Sequence, residues 1–270
     1  MRMLIVGVLC LVYQLTYISS ANATSIIFKF EDKRIYIAAD TRYSMKPSIA
    51  TPLVIKDFHD DSCKIVPLGK AAFAVTGISV YHSLVPGYLD EWDATDDAKK
   101  LYAANSGNLD KVVAEWSRRA LDHYINYYKK EPSVVRNRAS EKADHILVAG
   151  FFAGWSKQNQ PLLSIEIVKF DENQTEPNAV HLLYPAKDLF YSPHAITQEL
   201  ISGNTELAKN VHTKWKALSN KDPNAYPDWR WLEFLIQSTS VYDDNVGEKV
   251  NVLEIPPSGK YRWLQNLTCN

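Results

Sequence analysis

The chain has 270 residues, is 46% hydrophobic and 23% charged, and carries a formal net charge of −1, the profile of a folded protein with a substantial core. Charges of both signs are interspersed, which excludes a nucleic-acid arm or a polybasic membrane patch as the basis of function. Its 15 Tyr and 7 Trp suit a packed fold.

The first element is a leader. Met1-Arg2-Met3 is a short basic segment, "LIVGVLCLVYQLTYI" is apolar but interrupted by Gln14 and Thr16, and "SSANA" supplies small residues. This plan predicts a signal peptide over residues 1–23, cut after Ala21-Asn22-Ala23 so that Thr24 becomes the new N-terminus. Two rival readings stand beside it: a membrane anchor, which meets an uninterrupted apolar run too short to span comfortably, and a strand of a cytosolic protein. Bulky Leu9 before Cys10 argues against lipidation. The expected location is secreted or periplasmic, with no membrane attachment after cleavage. Cys63 and Cys269 then remain, and an oxidising compartment permits a disulfide, although the sequence leaves open whether they meet. Neither has His or Cys partners at ligand spacing, so no metal site is expected, and no cofactor motif is present. Asn173-Gln-Thr175 and Asn266-Leu-Thr268 are glycosylation sequons whose use depends on the host.

"TSIIFKF" and "RIYIAAD" are β-branched and aromatic runs joined by the polar turn "EDK", which predicts a hairpin. Residues 43–63 are Pro-punctuated and read as loop with a short extended piece. "KIVPLGKAAFAVTG" predicts a second hairpin ending at Gly77. Helical text follows from Ser79 to Tyr128, broken near "NSGN", with "LDKVVAEWSRRALDHYINYY" the clearest amphipathic stretch. Strands return in "DHILVAGFFAG", "PLLSIEIVKF" and "AVHLLYP"; two helices, "NTELAKNVHTKWKAL" and "PDWRWLEFLIQSTSVY", precede a last strand, "KVNVLEI". This order is not the alternation of a parallel doubly wound sheet. It predicts an α+β fold, a four-layer α-β-β-α sandwich, formed as one domain over residues 24–270.

An N-terminal threonine has chemical use. Its hydroxyl needs a base, and its own α-amine, with an ordinary pKa of about 7.7–8.0, can serve directly or through one water. A buried lysine nearby lowers that amine's pKa by like-charge repulsion and itself needs a carboxylate partner. Asp40 closes the second strand of the first hairpin, which places a carboxylate beside Thr24.

These residues resemble the β-subunits of the proteasome, within the N-terminal nucleophile (Ntn) hydrolases. Their chains open with Thr, an apolar strand, a turn and a second strand ending Ala-Ala-Asp-x-Arg, as in "IAADTR" here; "ISGNTELA" and "STSVYDDNVGEKVNVLEI" are similar to later segments of theirs. The resemblance implies Thr24 as nucleophile, Asp40 as the carboxylate that orients the lysine, and Arg42 as a supporting residue. Two lysines compete. Lys56 lies at the family's usual distance from Asp40, whereas the pattern around Lys64 matches the family's, and Lys64 is preferred with an insertion in the preceding loop. Gly77 corresponds to the oxyanion N–H donor, Ser202 to the serine near the amine and Asp244, or Asp243 in a shifted register, to its aspartate partner. Tyr43, Ser44, Val75 and Ser79, with Val66, are the implied lining of the substrate site. Where the family has Ser-Gly-Gly after the aspartate, this chain reads "NVGE".

The resemblance implies an exported threonine-type peptidase or amidohydrolase acting on peptides or unfolded chains without a cofactor, as a monomer or a homo-oligomer. The alternatives are a catalytically inactive Ntn-fold binding or assembly module, supported by the altered turn, and an Ntn amidase acting on a non-peptide amide. Each residue alone has a plainer explanation: a strand threonine, a turn aspartate, a solvated lysine, a turn glycine, a helix-capping serine.

Overall fold

The computed structural model describes residues 17–22, 25–31, 33–47, 57–59, 62–83, 92–140, 145–156, 158–171, 173–185 and 189–269. In chain order these form β1 (Tyr17–Asn22), β2 (Ile26–Glu31), β3 (Arg34–Asp40), β4 (Tyr43–Pro47), β5 (Asp57–His59), β6 (Ile65–Leu68), β7 (Ala71–Ser83) and β8 (Trp92–Asp93). Helices α1 (Ala94–Ala104), α2 (Leu109–Lys130) and α3 (Pro132–Ser140) follow, then β9 (Ile146–Trp155), β10 (Pro161–Lys169), β11 (Asn178–Pro185) and β12 (Phe190–Tyr191). Helices α4 (Ala195–Ser202), α5 (Glu206–Lys221) and α6 (Arg230–Ser240) precede β13 (Val250–Ile255) and β14 (Arg262–Gln265).

The strands build two antiparallel sheets. One runs β11-β10-β9-β7-β1-β4-β5, with β6 and β8 also paired to β7; the other runs β12-β2-β3-β13-β14. Alternation along each strand divides its side chains between two cores. On β7, Phe73 and Val75 join Trp116 and Tyr124 of α2. Ala72 and Ala74 instead meet Ile26 and Phe28 of β2 between the sheets. On β2, Ile27 faces the other way, into a third cluster with Leu235 and Ile236 of α6. Helices α1–α3 therefore cover the first sheet and α4–α6 the second, which is the expected α-β-β-α sandwich. Each buried Ile, Leu or Phe contributes about 1.5–3 kcal/mol, and three such layers of contact explain the fold.

Several expectations are corrected. The helical reading from Ser79 fails, because Ile78–Ser83 continues β7 and pairs with β1 and β8. The first helix begins at Ala94 instead, where Asp93 accepts from Thr95 N and Asp96 N as its N-cap. Helices α3 and α4 and strands β12 and β14 are short elements that periodicity did not separate from their surroundings. The end of the expected leader is itself a strand. Residues 17–22 lie antiparallel between β4 and β7, with Ala21 opposite Ser44 and Ile78, and Asn22 opposite Gly77.

Candidate active site

The first hairpin pairs Ile26 with Ala39, which brings the start of β2 to the end of β3. Ser25 N–H donates to Asp40 Oδ1 at 2.8 Å, and Asp40 N–H donates back to Ser25 O at 3.1 Å. Thr24, the expected nucleophile, lies outside the described residues and is joined covalently to Ser25. Lys64 enters from the start of β6, and its Nζ donates to Asp40 Oδ1 at 3.0 Å and Oδ2 at 2.9 Å. Backbone N–H groups of Arg42 and Gly247 add bonds of 3.1 and 3.0 Å to Oδ2. Complete burial pushes the Asp40 carboxyl above its usual range, while Lys64 and the Gly247 and Ser25 N–H groups pull it back. A carboxylate so surrounded fixes the ammonium in one position near Ser25, whose N–H shares Asp40 Oδ1 with it. Lys56, the competing lysine, lies outside the described residues. Arg42 Nη1 also donates to Asp244 O at 2.9 Å, tying the β3–β4 turn to the loop before β13.

Gly77 sits within β7 at φ 88°, a conformation that favours glycine. A Cβ there would lie 2.4 Å from Leu147 O, so the close approach of β9 also requires glycine. Val75, two residues earlier, is buried with Val66 in the cluster under α1 and α2, and Ser79 is buried as well. Tyr43 and Ser44 belong to β4, where Tyr43 pairs with His59 and Ser44 with Ala21 and Phe58. Of the expected substrate residues, Tyr43 and Ser44 thus lie on β4 and Val75 and Ser79 on β7, the two strands that flank β1, whereas Val66 lies on β6.

Two other expected residues are relocated. Ser202 was expected at the amine; the turn "ISGNT" does open a helix, α5, with Thr205 as its N-cap, but Ser202 itself is the last residue of the preceding helix α4. Gly203 at φ 71° terminates α4, and exposed Ser202 donates to Glu199 O of its own helix. It stands at the far end of α4, about 10 Å along the axis from the end nearest Ser25. Asp244 is exposed and contributes its carbonyl, whereas the carboxylate of Asp243 turns inward, with Oδ2 3.0 Å from His194 Nε2. Burial pulls the Asp243 carboxyl upward, but bonds from Asn245 and His194 outweigh it and hold the group below its usual value.

The residues that reach Ser25 were not foreseen. Ser25 Oγ lies 2.7 Å from Thr197 Oγ1, which lies 3.0 Å from Thr239 Oγ1 and 3.3 Å from His194 Nδ1. Ser25, Thr197 and Thr239 are fully buried. Gly247 was also missed as a site residue, although it stands in the "NVGE" turn that marked the departure from the family pattern. A cheap signal existed for His194 alone, a histidine directly before a helix start.

Cys63 and Cys269 form a disulfide across 206 residues of chain. It joins the C-terminal segment to the residue before Lys64. Thr268 Oγ1 donates to Ser62 O, Asn251 Nδ2 to Thr268 Oγ1 and Leu267 N–H to Asn251 Oδ1, so β13 braces the same junction.

No described protein family and no curated protein matches the chain. Among solved structures it is similar to Anbu from Hyphomicrobium sp. strain MC1, with 12% identity and a TM-score of 0.42 over 90% of this chain and 87% of that one. It is also similar to Anbu (ancestral beta-subunit) from Yersinia bercovieri, with 10% identity and a TM-score of 0.45 over 91% and 89%.

Proposed function

We propose that the protein is an exported, threonine-type N-terminal nucleophile hydrolase that cleaves peptides bound as extended strands. The observation that carries this reading is the buried Lys64–Asp40 pair held against Ser25, the residue that follows Thr24. Burying two charges is costly unless every bond is made, and here the pair lies where an N-terminal amine and hydroxyl would need a fixed cation.

In this reading, removal of residues 1–23 frees the Thr24 α-amine. The Lys64 charge disfavours the protonated amine, which then takes the Thr24 hydroxyl proton, directly or through a water. The Oγ–carbon bond forms, the Gly77 N–H supports the oxyanion, and the scissile C–N bond breaks with the amine delivering the proton to the leaving nitrogen. Water then hydrolyses the ester and restores the hydroxyl.

The pairing of β1 supports peptides over non-peptide amides. An extended segment fits antiparallel between β4 and β7, its C-terminal end opposite Gly77 and directed toward Thr24. Strand addition of this kind uses main-chain bonds for affinity and alternate side chains for specificity. The cut that exposes Thr24 also releases the strand that fills this slot, so export and activation coincide. Unfolded chains or peptides, in a secreted or periplasmic setting, are the substrates such a slot suits.

The test is covalent labelling of the processed protein by peptide epoxyketones, which react with hydroxyl and amine together. One adduct on Thr24, absent from Thr24→Ala, is expected. Absence of labelling across a panel of peptide sequences in a protein that starts at Thr24 sinks the reading.

A further inference from the structure

Strand β10 carries two polar residues where its pattern calls for apolar ones. Its odd residues Leu163 and Ile165 enter the core between the sheets, and its even positions turn toward α2, where Val168 is buried in the helix-side core. Ser164 and Glu166 occupy the two even positions before Val168, and each is only 2% exposed. Register sets Glu166 opposite His181 and Ser164 opposite Leu183 of β11. With small Ala114 on α2 and Ala179 on β11, these residues leave a groove of about 540 Å³ between the helix and the sheet edge, walled by Leu121, Leu162 and Leu183.

Glu166 is incompletely satisfied. Ser164 Oγ donates to its Oε1 at 3.1 Å and His181 Nδ1 bonds the same oxygen, while Oε2 has no hydrogen bond among the described residues. Burying a carboxylate with one oxygen unbonded is costly, and a donor entering the groove relieves that cost. The charges of the lining select the donor. Asp110 and Glu166 are acidic, and the Arg118 guanidinium is already bonded to Asp122 at 2.7 Å. The groove therefore suits a cation on an apolar stem, which is the form of a Lys or Arg side chain.

Strand β11 is also the outer strand of its sheet, paired only with β10 among the described strands. Its sequence, "NAVHLLYP", lacks the Lys, Asp and Glu that blunt an exposed edge and carries its Pro only at the last position. Leu182 and Leu183 on it are 37% and 60% exposed.

We propose that the edge of β11 docks an extended peptide segment of a partner protein as a further strand, with one Lys or Arg side chain lying in the groove and donating to Glu166 Oε2. Main-chain bonds to β11 supply affinity, and the basic side chain supplies specificity. Neighbouring strands lie about 4.7–4.9 Å apart, so the added strand stands about 10 Å from β10, a gap that a Lys or Arg stem and the Glu166 side chain span together. A second copy pairing through its own β11 does not meet this need, because that strand has no Lys or Arg to offer. Strands β9 and β10 separate β11 from β7, so the docking edge is distinct from the slot that β1 fills and does not depend on the hydrolase reading.

The experiment is peptide binding to the full chain, in which β1 fills the slot between β4 and β7. Fluorescence anisotropy gives the affinity and nitrogen-15 NMR the location. The probe is a capped seven-residue peptide of alternating Thr and Val with a central Lys; its counterparts carry a central Gln, or N-methyl groups on alternate amides. The Lys peptide is expected to bind about 10–100-fold more tightly than the Gln peptide, the scale of one charge-assisted hydrogen bond. It should shift the β11 amides, and N-methylation should abolish binding. Glu166→Gln should remove the Lys preference and leave the Gln peptide unaffected. Leu183→Lys, at an exposed position that the fold tolerates, puts a cation in the groove in advance and should weaken the Lys peptide by a similar factor. Equal affinity for the Lys and Gln peptides, or a Lys preference that survives both variants, overturns the proposal. Hexylamine binding as tightly as the Lys peptide also overturns it, by making the groove a small-amine site. So does a dimer of the chain, seen by light scattering, that Leu183→Lys dissociates, because the edge then belongs to a second copy.

Discussion

Lys64 Nζ lies 3.0 and 2.9 Å from the two oxygens of Asp40, and both side chains are withdrawn from solvent. Neither can be removed without leaving a buried charge behind. Lys64→Ala is expected to cost about 3–5 kcal/mol of stability and to abolish Thr24-dependent turnover, read by urea denaturation and by labelling. The double variant Lys64→Met, Asp40→Asn should regain much of the stability and none of the activity. Equal losses of activity from Lys64→Ala and Lys56→Ala would mean that the lysine has been misassigned.

The processed protein is expected to begin at Thr24, which intact-mass measurement of exported material decides. A start one residue away moves the α-amine out of the reaction, and labelling should then fail. A protein that retains residues 17–22 should also resist labelling, because β1 fills the slot between β4 and β7.

Glycine is required at Gly77 for two reasons and at Gly203 for one. Gly77→Ala places a methyl 2.4 Å from Leu147 O, so the expected result is unfolded or insoluble protein. Gly203→Ala keeps the left-handed conformation but meets nothing nearer than His212 at 3.7 Å, and should cost about 1 kcal/mol. Thermal melts of the two variants should differ accordingly.

Acid should erode the support that Asp243 provides. Its folded-state pKa lies below the ordinary 3.8, so the ionised group stabilises the fold above that value. This contribution is lost as pH falls from about 4 through the folded pKa. Melting temperature should decline over that window in the wild type, and Asp243→Asn should show a shallower decline.

Reduction of Cys63–Cys269 opens a closure of 206 residues. Cys63→Ser with Cys269→Ser is expected to lower stability by about 2–5 kcal/mol, measured by denaturant titration. Because Cys63 precedes Lys64 directly, turnover should fall in reducing buffer before the fold is lost. Full activity with excess reductant would show that the latch does not hold Lys64.

The sequence by itself determined the parts whose cause is local. Alternating apolar residues over Ile26–Phe30 and Ile35–Ala39 specify a hairpin, and a hairpin necessarily returns Asp40 to Ser25. The order of strand and helix text was enough to predict the four layers. Pattern around "KIVPL" favoured Lys64, and the ion pair with Asp40 is where that preference led. Tertiary structure alone decided what comes from far along the chain. Gly247 reaches Asp40 across 207 positions and Thr197 reaches Ser25 across 172. No local periodicity encodes which helix end lands on the site, so Ser202 was expected where His194 stands, and the choice between Asp244 and Asp243 stayed open until the fold turned the Asp243 carboxylate inward. Residues 17–22 have the same cause: their small and polar letters suit the end of an expected leader, and only the neighbouring β4 and β7 make a strand of them. A side chain's chemistry is written in its own letter, but its partner is set by packing of layers that share no sequence neighbourhood.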